Sequence, residues 1–178
     1  MIRRGALAGL GTVAASFWLA GCATPQQAIG DASWTSGRMA VRVAATPAHI
    51  AQSFIAGFDL RGSGERGELR LSSTLGTRLA TATWAPGLAL LQTADGEQRF
   101  TDLDELSRQA LGEALPLAAL ADWLAGRPWP GASSRAEAAG FEQLGWQVDL
   151  SRRSEGAVAF DRAAAPAVQV RIRLADPS

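Results

Sequence analysis

The stretch GELRLSSTLGTRLATATWAPGLALLQTADGEQRF, residues 67–100, decides the fold class of this chain. Apolar and polar residues alternate over Glu68–Ser72, a period of two that is typical of a half-buried strand. Arg78–Trp84 and Leu88–Gln92 flank a Pro-Gly turn as the two strands of a hairpin, and Asp95-Gly96 favours a second tight turn. Because no connection is long enough for a crossover helix, the stretch predicts an antiparallel meander.

Further strands are predicted on both sides of this meander, again from alternating residues. They are Ser33–Val43, Ser53–Leu60, Leu144–Leu150, Gly156–Arg162 and Val168–Leu174. The small, polar segment Gly131–Gly140 is predicted to be a loop. The sequence therefore indicates a mainly β protein whose long sheet tends to curl.

The apolar period changes to that of helices after Phe100. Thr101-Asp102-Leu103-Asp104 resembles a capping box, and the helix that follows is expected to stop at Gly112. A second helix is expected from Pro116 to a stop at Gly126. Both helices have an apolar face, so this helical hairpin is expected to cover the concave face of the sheet.

The amino terminus has the parts of a secretory signal. Arg3 and Arg4 precede the uncharged, mostly apolar run Ala6–Ala20, whose length of about 15 residues is short for a membrane span. Leu19-Ala20-Gly21-Cys22 is similar to the lipobox of bacterial lipoproteins, which implies cleavage before Cys22 and acylation of this only cysteine. The alternative is an apolar helix with a buried free thiol.

This signal divides the chain into residues 1–21, a lipoprotein signal peptide, residues 22–32, a lipidated flexible tether, and residues 33–178, the folded domain. Three acyl chains would anchor the protein firmly. An Asp directly after the acylated cysteine resembles an inner-membrane retention signal. Ala23 occupies this position here, which indicates the outer membrane, with the domain facing the periplasm. We expect a monomer.

Charge and composition exclude several functions. The chain has 17 basic and 17 acidic residues, which argues against a nucleic-acid partner and against a polybasic membrane patch. The only histidine, His49, is in a Pro-containing loop without a marked catalytic partner. No nucleophile elbow, clustered metal ligands or phosphate-binding glycine motif is found. We therefore expect neither a metal, a cofactor nor an enzyme.

The loop Ser72–Thr77 contains one large apolar residue, Leu75, that turn chemistry does not explain. Taken alone, Leu75 is best interpreted as the start of the next strand, facing the core. The alternative is a leucine exposed at the tip of the loop. The apolar interior is similarly ambiguous, since it suits either a packed core or a cavity for acyl chains.

The chain resembles the LolB family of outer-membrane lipoprotein receptors. The resemblance is carried by Leu69-Arg-Leu-Ser-Ser-Thr-Leu75-Gly76, Asp95-Gly96, the helical block Asp102–Gly112, Leu115-Pro116 and Trp123-Leu-Ala-Gly126. It implies an unclosed antiparallel β-barrel with helices as a lid. It also implies that the protein takes lipoproteins from the periplasmic carrier LolA and releases them into the inner leaflet of the outer membrane, without covalent chemistry or nucleotide.

The resemblance also assigns residues. Leu75 and Gly76 correspond to a membrane-targeting loop, although Thr74 stands where the family often has Pro. Strand parity and helix stripes give the residues expected to line an acyl-chain cavity or its lid, namely Met39, Val41, Phe58, Leu69, Leu71, Leu79, Leu90, Leu117, Leu120 and Trp123. Two alternatives remain, a structural scaffold lipoprotein of an outer-membrane assembly complex and a lipid-modifying enzyme, which the missing nucleophile–base motif disfavours.

Overall fold

The computed structural model describes residues 32–47, 50–111 and 115–175 of the 178-residue chain. These residues form strands, two α-helices and a short 3-10 helix. The strands are β1 (Thr35–Val43), β2 (Gln52–Gly62), β3 (Gly67–Ser72), β4 (Arg78–Ala85), β5 (Leu88–Thr93), β6 (Gly96–Phe100), β7 (Ser134–Glu137), β8 (Gly140–Gln143), β9 (Trp146–Asp149), β10 (Ala157–Arg162) and β11 (Val168–Leu174). The helices are α1 (Leu103–Leu111), α2 (Leu117–Leu124) and the 3-10 helix Arg153–Glu155.

All the strands belong to one antiparallel sheet, in the order β6-β5-β4-β3-β2-β1-β11-β10-β9-β8-β7. Neighbours in the sheet are also neighbours in sequence except at the centre, where β1 pairs with β11 from Gly37–Leu174 to Val43–Val168. In the described part of the chain, β6 and β7 each pair on one side only. The expected unclosed antiparallel β-barrel is therefore confirmed, and the helical segment joins its two free edges.

Alternation along the strands gives the sheet one apolar face. In β11, Val168, Val170 and Ile172 are buried, whereas the residues between them are exposed. The same parity continues through β1 and β10, because the register pairs Val170 with Val41 on one side and with Phe160 on the other. The two helices pack on this face, and their buried leucines join the core of the sheet.

The start of α1 differs by one residue from the prediction. The Asp102 carboxylate, not the Thr101 hydroxyl, caps the helix by accepting the N–H of Glu105 at 2.7 Å. The Glu105 carboxylate in turn accepts the N–H and the hydroxyl of Thr101, both at 2.9 Å. The arrangement resembles a capping box, with Asp102 as the cap, but Glu105 reaches back to Thr101, one residue before the cap.

Two predictions between residues 131 and 150 are wrong. The expected loop Gly131–Gly140 contains β7, which carries polar residues because it is an exposed edge strand. The expected strand Leu144–Leu150 begins two residues later. Leu144 (φ 55°) and Gly145 (φ 75°) form a two-residue turn between β8 and β9, and positive φ at both positions is the requirement of the commonest tight hairpin turn.

Trp34 fixes the beginning of the domain on the outer face of the sheet. Its ring lies 4.5 Å from the guanidinium carbon of Arg61 and 4.2 Å from that of Arg70. The buried Glu68 carboxylate bridges the same two arginines, with N–O distances of 2.5 and 2.6 Å. Cation–π contacts and charge-assisted hydrogen bonds therefore hold Trp34 on the outer face of the sheet, at the start of the folded domain.

The Glu68 cluster predicts an acid-sensitive contribution to stability. Burial raises the pKa of Glu68, but hydrogen bonds and the charges of Arg61 and Arg70 outweigh this, so the pKa lies below its ordinary value of 4.5. A carboxyl whose pKa is lowered by folding stabilises the fold above its unfolded pKa, and this stabilisation is lost as the pH falls through the folded pKa.

We therefore expect Glu68→Gln to lower the free energy of unfolding by about 1–2 kcal/mol at pH 7. The difference from wild type should shrink as the pH is lowered below about 4. Urea unfolding at a series of pH values measures this difference. A difference that stays constant down to pH 3 would contradict the role given to the Glu68 charge.

Candidate functional site

The candidate site is an apolar cavity between α2 and the inner face of the sheet. Strands β1, β2, β3, β9, β10 and β11 form its floor, and α2 with the two residues before it forms its roof. The lining residues are Met39, Val41, Phe54, Leu69, Leu71, Leu115, Pro116, Leu117, Leu120, Trp123, Trp146, Phe160, Val170 and Ile172. No side chain in this set carries a charge, so the cavity offers a purely apolar environment.

Seven of the ten residues expected at an acyl-chain cavity or its lid line this space. They are Met39, Val41, Leu69, Leu71, Leu117, Leu120 and Trp123. Phe58 is buried in the same core but does not line the cavity. Sequence reasoning missed Phe54, the residues Leu115 and Pro116 before α2, and the lining residues of β9, β10 and β11. The alternation of the last strands does, however, reveal their apolar face.

Leu79 and Leu90 do not line the cavity. Leu90 pairs with Thr83 and Arg99, and its neighbours Ala89 and Leu91 are the residues of β5 that face the core. Leu79 lies at an irregularity where the register between β3 and β4 shifts, and its side chain is 48% exposed. A bulge of this kind changes which residues face inward, and strand parity cannot detect it.

The cavity is small in this structure. Its volume is about 50 Å³, whereas a pocket for a drug-sized ligand measures about 300–1,000 Å³. A long acyl chain would therefore enter only if the roof moved away from the sheet. Because the roof is one short helix and the segment before it, α2 is the element whose displacement would enlarge the cavity.

Trp123 anchors α2 to the C-terminal half of the sheet. Its indole packs against the rings of Phe141, Trp146 and Phe160 at centroid distances of 6.3, 6.3 and 5.2 Å. The indole N–H donates to Gln143 Oε1 at 2.8 Å. Edge-to-face aromatic contacts and a buried hydrogen bond thus fix the position of the roof.

Gln143 is a buried polar residue whose amide is fully used. Its Oε1 also accepts the backbone N–H of Trp129 at 2.9 Å. Its Nε2 donates to the carbonyl oxygens of Trp129 and Ala132 at 2.7 and 2.8 Å. One side chain therefore connects α2 with the loop that follows it and with β8, and sequence reasoning did not identify it.

A buried serine joins the two helices. The Ser107 hydroxyl of α1 accepts the N–H of Leu115 at 3.1 Å and donates to the carbonyl oxygen of Asp104 at 3.2 Å. Leu115 is one of the cavity-lining residues. The beginning of the roof, at Leu115, is therefore bound to α1, while its end is bound to the sheet through Trp123.

Leu75 lies at the tip of the turn between β3 and β4, and its side chain is 93% exposed. The interpretation of Leu75 as a core residue is therefore wrong. The N–H of Gly76 donates to the Ser73 carbonyl oxygen at 3.0 Å, which closes the turn, and Gly76 has φ +86°. A side chain is strained at this φ, so the turn favours glycine directly after the leucine.

The Ser73 hydroxyl braces this turn. It accepts the N–H of Leu75 at 3.3 Å and the N–H of Thr77 at 3.1 Å. Such a side chain to backbone arrangement fixes the turn locally. Thr74 therefore does not need to be a proline for the turn to present Leu75 to solvent.

Several predicted features lie outside the described residues. These are Cys22 with its signal and tether, the single histidine His49 and the helix stop at Gly112. Within residues 32–47, 50–111 and 115–175, no three His, Cys, Asp or Glu residues are grouped so that they could hold a metal ion. None of the helices in these ranges has the length and apolar character needed to cross a membrane.

The fold and the site define a class of protein: an unclosed β-barrel in which a helical roof covers an apolar interior and a turn exposes a leucine. Residues 32–175 match the family described as outer membrane lipoprotein LolB. The chain belongs to this LolB family of outer-membrane lipoproteins.

Individual relatives agree with this assignment. The chain is 34% identical over 166 residues to the outer-membrane lipoprotein LolB of Chromobacterium violaceum, which covers 87% of this chain and 86% of the relative. It is 37% identical over 146 residues to that of Bordetella petrii, covering 75% and 73%. The protein of Ralstonia nicotianae is 36% identical over 149 residues, covering 73% and 69%.

Proposed function

We propose that this protein receives lipoproteins from the periplasmic carrier LolA and inserts them into the outer membrane, holding their acyl chains in the cavity under α2. The observation that carries this proposal is the purely apolar lining of that cavity. Acyl chains leave water for apolar surface at roughly 25 cal/mol per Å². Each transfer step can therefore proceed with a decrease in free energy, without nucleotide or covalent chemistry.

The proposal requires a closed empty state and an open loaded state. With about 50 Å³ available, loading would move α2 and the Leu115–Pro116 segment away from the sheet, and so loosen the contacts of Trp123 and the hydrogen bond from Leu115 to Ser107. An incoming chain then replaces contacts among leucines by contacts with its own methylenes. Because both sets of contacts are apolar, the net free energy of opening is small.

The membrane arrangement is part of the same proposal. Residues 1–21 act as a signal peptide, Cys22 carries the lipid, and residues 22–32 form a tether to the periplasmic face of the outer membrane. Leu75 and Gly76 form the loop that acts on the membrane during release. The protein works as a monomer, since one apolar cavity serves one lipoprotein.

A transfer assay tests the receptor function. A soluble form that lacks residues 1–22 is suitable, because the described core lies between Met39 and Ile172. It is mixed, without nucleotide, with carrier loaded with a labelled lipoprotein, and we expect the label to move onto it. Label that remains on a carrier able to load another LolB protein would refute the proposal.

The second candidate is a structural scaffold lipoprotein, and the small cavity volume favours it. A scaffold would keep a filled core and bind protein only. A dye that brightens in apolar pockets separates the two functions, since fatty acid displaces it from an acyl-chain site. No binding of dye or fatty acid at all would favour the scaffold.

A further inference from the structure

The outer face of the sheet carries a groove that the proposed function does not use. It lies across β1, β11 and β10, opposite the cavity, and has a volume of about 430 Å³. Small side chains of Ala40, Ala157 and Ala159 form its floor. Its charged lining consists of Arg38, Arg152, Arg171 and Arg173 with the single carboxylate of Asp149. We call it the arginine groove.

Two of these arginines face each other across neighbouring strands. The register places Arg38 on β1 directly opposite Arg173 on β11. Like charges at opposed positions destabilise a sheet. Arg173 donates to the carbonyl oxygen of Glu155 at 2.8 Å, which does not neutralise its charge. The charge of Arg173 also acts on the nearby Glu155 carboxylate and helps to lower its pKa. Arg38 has no ion pair among the described residues, so its positive charge is the uncompensated one.

The other two arginines are neutralised by nearby carboxylates. Arg171 pairs with Asp161 at 2.9 Å, and Arg152 pairs with Glu155 at 2.7 Å. Asp149 accepts the N–H of Ser151 at 2.8 Å. Four arginines and the three carboxylates Asp149, Asp161 and Glu155 thus share the groove and its edge, which leaves a local excess of one positive charge at Arg38, although the whole chain is neutral. The balanced total charge hides this cluster, because only the β1–β11 pairing brings it together.

The arginine groove continues into the Leu75 turn. A neighbouring depression of about 230 Å³ is lined by Arg38 and Ile55 together with Ser73, Thr74 and Gly76 of that turn. Ile55 is 63% exposed on the outer face of β2. Exposed apolar side chains and the uncompensated Arg38 therefore share one continuous surface.

We propose that this surface binds the phosphate groups of anionic phospholipids, so that Arg38 and Arg173 lie at the headgroups while Leu75 enters the apolar layer. Guanidinium groups match phosphate oxygens in a bidentate geometry. Neighbouring apolar and basic groups are typical of surfaces that bind a membrane interface. The leucine at the tip of a braced turn is 93% exposed and extends away from the sheet, which suits entry into a fluid apolar layer.

This inference rests on the proposed function for the orientation of Leu75 toward the membrane, and it adds the lipid class. The test uses the soluble form lacking residues 1–22 and vesicles of phosphatidylcholine, alone or with a third of phosphatidylglycerol. We expect binding to the anionic vesicles that weakens at high salt. The double variant Arg38→Gln/Arg173→Gln should bind them about thirtyfold more weakly, since each arginine near an anionic surface contributes a factor of about five.

Arg99→Gln is the matched control, because Arg99 is exposed on the edge strand β6 far from the groove in the sheet order. It removes one charge and should bind like wild type. Equal binding of wild type to neutral and anionic vesicles, or undiminished binding by the double variant, overturns the inference.

Loading from the carrier in the absence of vesicles is measured in parallel. A double variant that loads normally but binds vesicles weakly supports a lipid site. One that binds vesicles normally but fails to load would assign the arginines to a protein partner and overturn the lipid site. Failure of the wild type itself to load contradicts the proposed function instead, and leaves the vesicle result to decide the lipid site.

Discussion

Leu75→Glu is expected to reduce delivery of lipoproteins to membranes by at least about tenfold, while loading from the carrier stays at the wild-type level. Transfer of a leucine side chain into an apolar phase is worth about 1.5–3 kcal/mol, and the substituted carboxylate opposes entry. Loading is spared because Leu75 is 93% exposed at the tip of its turn and does not line the cavity. The measurement is the fraction of labelled lipoprotein recovered in vesicles.

Thr74→Glu provides the matched control for this prediction. Thr74 is exposed in the same turn, so the variant adds the same charge without removing the leucine. In vesicles of phosphatidylcholine alone, where no anionic headgroup repels the added charge, we expect it to retain most of the delivery that Leu75→Glu loses, and Leu75→Ala to be intermediate. Normal delivery by Leu75→Glu would contradict the role of the loop in release to the membrane.

Trp123→Ala is expected to cost about 3–5 kcal/mol of stability, the range for deletion of a large buried aromatic side chain. Trp123 is 1% exposed, packs on three aromatic rings and donates to Gln143. A loss of this size is a large part of the roughly 5–15 kcal/mol that stabilises a typical domain. The melting temperature should fall by about 10 °C or more.

Circular dichroism is the suitable probe, because the substitution removes a fluorophore. Trp34→Ala is the control, since Trp34 is partly exposed and stacks only between two arginines. The loss of its cation–π contacts should cost about 1 kcal/mol or less, in addition to the cost of the apolar contact area that is lost. If both variants melt at similar temperatures, Trp123 does not hold the roof helix as described.

Trp123→Phe adds a second readout. It keeps an aromatic ring but removes the donor to Gln143, so the cost should be about 1–3 kcal/mol. Since α2 is then held less firmly, this variant should bind an apolar dye faster than wild type. Unchanged dye kinetics would indicate that another part of the roof limits entry.

Strand positions could be predicted wherever one face is buried. Residues 168–174 were predicted as a strand with the same bounds that β11 has, because valine and isoleucine alternate there with arginine and glutamine. Prediction failed at β7, where SRAE has no large apolar residue. It also failed at Leu144, where Gly145 permits a tight turn that the alternation of apolar residues from Leu144 to Leu150 conceals.

The cavity was harder to predict than the sheet, for a physical reason. Local alternation shows that Val170 and Ile172 face inward, but not that they lie under α2. That position follows from the β1–β11 pairing, which joins residues more than 120 apart and leaves no local trace in the sequence. The same pairing creates the opposition of Arg38 and Arg173, which composition had argued against.

Leu75 shows the opposite case. Turn chemistry in the loop was recognised, and a core position was favoured for the leucine because leucine is among the residues most often buried. Only the resemblance to a family pointed to the tip. The Ser73 hydroxyl, which holds the turn, supplies the physical explanation that the sequence pattern lacked.

The β1–β11 pairing also sets the order in which the molecule can be completed. A chain that emerges from its amino terminus can form the meander β1–β6 early, because those contacts are local. The side of β1 that faces β11 stays unpaired until residues 168–174 have been synthesised, since they are its only partner in the sheet besides β2. A chain that stops before residue 168 therefore keeps the β11 side of β1 unpaired, beside Met39 and Val41.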